Sequence, residues 1–342
     1  MNEKLSLCMI CRDDEENVAR IVKNARPWVG EIVIIDTGSS DDSVKAALSA
    51  GADVVRKAPE LLTDGMLRSF SEARTRSFEL ATRPWRLWLD TDDDLSDWDL
   101  LPQLIDHCER LRNDEGRKGL SVTMWYDYSW TDDRSRCTQS FTRERIVHAD
   151  DGWTWHRPVH EYLGREGEHP RLELGNDQIR VIHMSRGARG LASDRNLRIL
   201  QHWEKTTGPT EDPIALYYYL GDEMLNRERF QEAFDYFMKV PQHAKGGWWR
   251  ARSEFRAARS LMIAERYEEA AELLTNVIKA TPEHAHPYWE LARALSILKR
   301  TDLAVEVMRA SFDKTPIMGE DIGLRDTMMS HLGIVNDKKV VV

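Results

Sequence analysis

No stretch of the chain reaches the length of apolar sequence a membrane span needs, and the N-terminus has no signal-peptide pattern. A cytosolic protein with no membrane span is therefore expected. Cysteine is scarce, with four in 342 residues. Cys8 and Cys11 form a lone Cys-x-x-Cys in or beside an apolar run, and no second pair exists to complete a zinc site, so they read as buried thiols. Basic residues are in deficit: 48 Lys and Arg against 58 Asp and Glu leave a formal charge of −10. That balance argues against a protein whose main work is coating nucleic acid, while leaving room for a local basic site. Also missing is a Gly-x-Gly-x-x-Gly loop after the first apolar run, which disfavours a dinucleotide-binding domain.

What is present suits ordinary folded domains. Hydrophobic residues make up 41% and charged residues 31%, and the length suits two or three domains, each with a full core. The apolar run 5–10 is followed by a helix carrying Val18, Ile21, Val22 and Ala25, which Pro27 ends. EIVIID (31–36) is a continuous β-branched run, as in a strand covered on both faces. Gly38 allows a turn, and serines and aspartates cap a helix starting near Asp42. A third strand is predicted at Asp53–Arg56, a helix at Ser69–Ala81, and a strand from Trp85, where Trp85, Leu87 and Leu89 alternate with Arg86 and Trp88. This alternation of strands and helices predicts an α/β domain with a doubly wound, mostly parallel sheet, whose ligands bind at the carboxyl ends of the strands.

The Trp85 strand runs into Asp90, Asp92, Asp93 and Asp94. Carboxylates so closely spaced repel unless positive charge sits among them, and a hard divalent cation such as Mg²⁺ is the usual answer; the bland alternative is a solvated acidic turn that caps the next helix. Asp36 is a second acidic strand end of the same kind. Further strands are predicted at 119–128 and Ile179–Ser185. Between them lies GWTWHRPVHEYL (152–163), dense in tryptophan and histidine; Trp153 and Trp155 read equally as sugar-stacking or core residues. From about Pro213 the pattern becomes helical and repeats: Ala258, Ala270 and Pro282 recur 34 residues on as Ala292, Ala304 and Pro316. Gly221, Phe230 and Ala233 precede Ala258, Tyr267 and Ala270 by 37 residues, with the extra three expected around Gly246-Gly247. Period 34 with small residues at helix crossings is the tetratricopeptide pattern, here with three repeats and a capping helix over Asp321–Leu332. The expected domains are 1–208 and 209–342.

LSLCMICRDDEENV, EIVIIDTGSSDDS, FSEAR and RLWLDTDDDL, in that order, resemble the family 2 glycosyltransferases of GT-A fold. More narrowly they resemble the bacterial and phage branch in which a tetratricopeptide array follows the transferase domain. The resemblance covers residues 4–95 and, more loosely, 153–198. It implies that the end of the first strand (Cys11) and Asp36 flank a nucleotide base, that Arg74 lies near the nucleotide, and that Asp90 takes the ribose. Asp92 is the expected direct metal ligand, with Asp93 its close competitor; His183 matches the late histidine that GT-A relatives often supply to the metal and is a candidate third ligand, the bland reading being a structural histidine on a strand. Ala73-Arg74-Thr75 stands where relatives have Ala-Arg-Asn, so that asparagine's contacts do not carry over. In Val159-His160-Glu161, Glu161 is the expected general base of an inverting transferase and His160 the second choice, with Asp127 next. The bland reading of Glu161 is a carboxylate that pairs with an arginine.

The basic stretch Arg186, Arg189, Arg195, Arg198 is expected either to close over a diphosphate or to be a solvated linker helix. The implied cofactors are Mn²⁺ or Mg²⁺ and a nucleotide-sugar donor, UDP-linked by expectation. The implied acceptor is a peptide ahead of a lipopolysaccharide core or a modified phage nucleobase, held partly by the repeats, through which a homodimer could also form. The rival from another class is a non-catalytic scaffold that binds a sugar nucleotide while its repeats recruit a partner. Nucleotidyl transfer, a second rival, brings a glycine-rich first loop that this chain lacks.

Overall fold

The computed structural model describes residues 2–131, 133–175, 177–184, 194–244, 247–317 and 323–334. The chain divides into two compact units, Met1–Arg195 and Asn196–Val342.

In the first unit, β1 (Asn2–Cys11), α1 (Glu15–Ala25), β2 (Val29–Asp36), α2 (Ser43–Ala50) and β3 (Val54–Lys57) follow in order. The small ribbon β4 (Leu62–Thr63) and β5 (Met66–Leu67) leads to α3 (Phe70–Leu80), β6 (Trp85–Trp88), β7 (Asp93–Leu95) and α4 (Leu101–Asn113). The long strands β8 (Ser121–Trp130) and β9 (Cys137–His148) come next. The hairpin β10 (Thr154–His156) and β11 (Tyr162–Gly164) then precedes β12 (Arg171–Glu173) and β13 (Arg180–His183). Local chemistry sets several of these boundaries. The Ser69 hydroxyl accepts the Glu72 N–H and caps α3, and Gly51 ends α2 in the left-handed region at φ 111°.

The main sheet runs β3-β2-β1-β6-β9-β8-β13-β7, with β12 beside β8. From β3 to β6 every pairing is parallel, whereas β9 and β7 are reversed. The sheet is thus mixed, which corrects the expectation of a mostly parallel one beyond β6. The physical reason is connection length. A short loop between β8 and β9 permits only antiparallel pairing, and the chain turns back on itself between Asp90 and Asp93 before entering β7.

Alternation along β1, β2 and β6 builds two cores. Leu7, Met9, Ile32, Ile34, Trp85, Leu87 and Leu89 join the apolar faces of α1, α2 and α4. Cys8, Val33 and Trp88 face the other way, toward Phe78 of α3 and Trp155 of β10. The sheet is therefore covered on both sides, and its polar groups with chemistry to offer gather at the strand ends. Cys11 lies opposite Asp36 in the β1–β2 register.

The second unit holds α5 (Arg195–Lys205), α6 (Gly208–Glu211), α7 (Pro213–Leu225), α8 (Phe230–Phe237), α9 (Val240–His243) and α10 (Gly247–Ile263). After these come α11 (Tyr267–Ala280), α12 (Ala285–Ile297), α13 (Thr301–Ala310) and α14 (Gly323–His331). Helices pack in successive pairs α7/α8, α10/α11 and α12/α13. The repeat is visible in the backbone: Glu228, Glu265 and Lys299 take left-handed φ values of 59°, 59° and 61° at the three intra-pair turns. After each one, the N–H of Arg229, Arg266 or Arg300 bonds back to Met224, Leu261 or Leu295 at 3.0, 2.9 and 2.8 Å. Short α9 lies between α8 and α10, in the stretch where the spacing is longer; Gly246 lies outside the described residues. Ala258, Ala270, Ala292 and Ala304 are fully buried in one core. A Cβ on Gly221 would sit 2.7 Å from the Phe237 ring, so the first crossing requires glycine. No described helix is long and apolar enough to cross a membrane.

Candidate active site

The site begins with a turn. Asp93 N–H donates to Asp90 O at 3.0 Å, closing a four-residue turn, and β7 then pairs with β13 so that His183 stands opposite Asp93. The turn sends the four carboxylates in different directions. Asp94 leaves the cluster: its Oδ2 accepts from Arg20 at 2.6 Å and from Asn24 at 2.8 Å, and its Oδ1 from the Trp98 indole at 2.7 Å. Arg20 also holds the carbonyls of Thr91 and Asp93, at 3.2 and 3.0 Å. Asp90 pairs with Arg74 at 2.7 Å, and Asp93 Oδ2 with Arg145 at 3.2 Å. Three arginines thus supply much of the positive charge that carboxylate crowding demands.

Arg74, on α3, is 5% exposed. Its Nε donates to Glu161 Oε1 at 2.8 Å and one terminal nitrogen to Asp90. Its guanidinium lies over Trp88 and Trp155, 4.7 and 5.1 Å from their centroids. Burial works against its charge, but Asp90 and Glu161 outweigh burial and raise its pKa. In turn, burial works to raise the Asp90 pKa, and Arg74 holds it below the usual carboxylate range. The single arginine therefore joins two of the carboxylates singled out from sequence, at the cost of engaging Glu161 Oε1. Replacing Arg74 with methionine leaves these two carboxylates without their shared cation and should destabilise the unit by about 3–5 kcal/mol at neutral pH. The loss should hold down to about pH 4 and shrink below it. Arg74 depresses the Asp90 pKa in the native protein, so Asp90's contribution is present above its unfolded pKa and is lost only as pH falls through the lower folded one, where the variant has less to lose. Melting curves of both proteins from about pH 2 to 8 measure this.

Asp92, Asp93 and His183 each offer a ligand atom within 4.8 Å of the others. His183 Nδ1 lies 3.5 Å from Asp93 Oδ1, 3.9 Å from Asp92 Oδ1 and 3.1 Å from the Tyr126 hydroxyl. Burial lowers the His183 pKa, and the two aspartates raise it by more. Asp93 is fully buried, yet its Oδ1 makes no hydrogen bond. A buried carboxylate oxygen with no well-formed hydrogen bond, 3.5 Å from an imidazole and beside a second carboxylate, fits a divalent cation. The group therefore satisfies the chemistry of a metal site.

Asp36, 1% exposed, accepts the Ser39 N–H at Oδ1, while its buried Oδ2 has no partner. The Cys11 thiol is pushed up to about 12 by burial, so it is a neutral wall beside Asp36. His160 takes a left-handed φ of 53°, and its pKa is held down, to about 4, by desolvation and by Arg143, Arg157 and Arg195, against Glu161. The residue is exposed, so solvent offsets much of that effect. Arg195 lies over Phe70 at 4.8 Å, and Arg189 falls outside the described residues. Trp155 is a core residue, 8% exposed and edge-on to Trp88 and Phe78. Asp127 is taken by Arg180, at 2.8 Å from its Nε.

Sequence reasoning missed Arg20, Arg143 and Arg145. Arg143 has no carboxylate pair among the described residues, and burial together with neighbouring Arg145 lowers its pKa. The available signal was the pair of same-face arginines entering the apolar Ile146-Val147 of β9.

No family model matches the chain. A TPR repeat-containing protein of Synechococcus elongatus is 36% identical over 110 residues, covering 32% of this chain and 26% of that protein. Uncharacterized glycosyltransferases of Rickettsia conorii and Rickettsia felis are each 33% identical, over 96 and 94 residues, covering 28% of this chain and 31% and 30% of theirs. The chain thus spans less than a third of the length of these curated relatives. Among solved structures, MamA from Desulfovibrio magneticus RS-1 is 23% identical over 40% of this chain and 73% of its own, with a TM-score of 0.31.

Proposed function

We propose that the chain is a metal-dependent, inverting glycosyltransferase of GT-A type that uses a nucleotide-sugar donor. The observation that carries the reading is the Asp92–Asp93–His183 group with its unbonded buried oxygen, at the strand ends that also carry Asp36 and Asp90. Similarity to proteins named glycosyltransferases supports it. A cation bound there would stabilise negative charge on a departing diphosphate. Asp36 Oδ2 is an acceptor for a nucleobase N–H, next to neutral Cys11. Arg143, unpaired among the described residues, is a counter-charge for phosphate, a role we also assign to Arg189 and Arg195. Glu161, with Oε1 anchored on Arg74, keeps Oε2 to take the proton of the attacking hydroxyl or thiol. The helical repeats would hold the acceptor, a peptide by preference, because stacked repeats form extended binding surfaces.

The test is a panel of UDP-, GDP-, CMP- and dTDP-sugars incubated with Mn²⁺ or Mg²⁺ and no acceptor. Slow hydrolysis of one donor, UDP-linked by expectation, with dependence on the cation is the predicted result. Binding without turnover would favour a sugar-nucleotide scaffold, and neither binding nor turnover for any donor would overturn the reading.

A further inference from the structure

We propose that Arg145 is the positioning residue of the Asp92–Asp93–His183 cation site; the inference rests on the metal-dependent reading above. The backbone places it there. Along β9, Glu144 and Ile146 stand opposite Thr123 and Val122, two successive residues of β8, so Arg145 is the extra residue of a β-bulge. Bulges re-aim one side chain at a cost to the ladder. The bulge is fastened to β6: the Trp88 indole donates to the Glu144 carbonyl at 2.7 Å, and Arg145 reaches the Trp88 carbonyl at 3.5 Å.

Stability is a poor explanation for this arginine. Arg145 is fully buried, and its guanidinium lies between Trp88 and Tyr126, 4.0 and 4.5 Å from their centroids. Yet its Nε and one terminal nitrogen have no hydrogen-bond partner. Buried donors left unbonded are costly, and apolar side chains often replace a buried ion pair without loss.

What Arg145 does is fix two of the three donors. It occupies Asp93 Oδ2 at 3.2 Å, and the Asp90 N–H takes the same oxygen at 3.1 Å. Only Oδ1 remains, 3.5 Å from His183 Nδ1. On the other side, Arg145 lies on the ring of Tyr126, whose hydroxyl is 3.1 Å from His183 Nδ1. One guanidinium thereby orients Asp93 directly and His183 through Tyr126, as outer-shell partners of metal ligands do.

The sign of one measurement separates positioning from simple charge. Removing a positive charge beside a cation site would, by Coulomb's law alone, tighten cation binding, whereas losing the orientation of Asp93 and His183 loosens it. Metal-free wild type, Arg145→Met and Arg145→Lys are titrated with Mn²⁺, the free ion being read by electron paramagnetic resonance and the fold by circular dichroism. Arg145→Met should weaken Mn²⁺ binding by about 10–100-fold. Arg145→Lys, which keeps an N–H donor for Oδ2, should lie closer to wild type. Should the methionine variant not fold, Arg145→Gln is read in its place with the same expectation. An affinity equal to or tighter than wild type in the folded neutral variant overturns the proposal. Wild type that binds no Mn²⁺ overturns the metal reading itself, a separate outcome.

Discussion

Asp92→Asn is expected to abolish cation-dependent donor turnover while the protein stays folded. The main chain at Asp92 is held independently of its carboxylate, because the Asp92 carbonyl accepts the Met184 N–H at 2.6 Å. Asparagine keeps the shape of the side chain and removes one of the two carboxylates that face His183, Asp92 Oδ1 being 3.9 Å from its Nδ1. A site of one carboxylate and one imidazole is a poor host for a hard cation. Circular dichroism and melting temperature should stay close to wild type, and Mn²⁺-dependent nucleotide affinity should disappear with turnover. The same substitution at Asp93 behaves differently: it weakens the charge partner of fully buried Arg145, so stability and activity fall together, by up to about 3–5 kcal/mol in stability. Wild-type turnover in Asp92→Asn would sink the metal assignment.

The contrast between these neighbours shows what the sequence could and could not reveal. The run Asp90 to Asp94 announces an acidic strand end, and β-branched stretches at 5–10 and 31–36 announce the strands beside it, because burial on both faces leaves a continuous apolar signature. The repeats were legible for a related reason: Ala258 and Ala292 are both fully buried in one helical core, and the pattern recurs at 34 residues. Which aspartate meets which arginine was not legible. Arg74, Arg145 and Arg20 lie 16, 52 and 74 residues from their partners Asp90, Asp93 and Asp94, and only the packing of α3, β9 and α1 around the strand ends brings them together. Strand β9 escaped notice because Arg143-Glu144-Arg145 looks like a solvated stretch. Its bulge folds one of those charges into the interior.

Glu161→Gln should lower transfer by about 10²–10⁴-fold, the usual contribution of a positioned general base, with donor affinity nearly unchanged. Glutamine is chosen because the pairing with Arg74 confounds any larger truncation. Glu161 Oε1 accepts from Arg74 Nε at 2.8 Å, and the amide oxygen of glutamine can keep that bond. Anchoring is then preserved and only basicity is lost, so a structural role predicts a small effect and a catalytic role a large one. His160 is the control. It is the neighbouring second-choice base, so with Glu161 in the catalytic role His160→Gln should cost far less than Glu161→Gln. The pH profile then reports on the acceptor. A hydroxyl must shed its proton as it attacks, and the deficit of Glu161→Gln stays large across the range. A thiol ionises unaided near pH ~8.5, so for a cysteine acceptor the deficit closes as pH rises toward that value. Full activity of Glu161→Gln from about pH 6 to 9 would mean that no base acts at this position, and that Glu161 serves Arg74 alone.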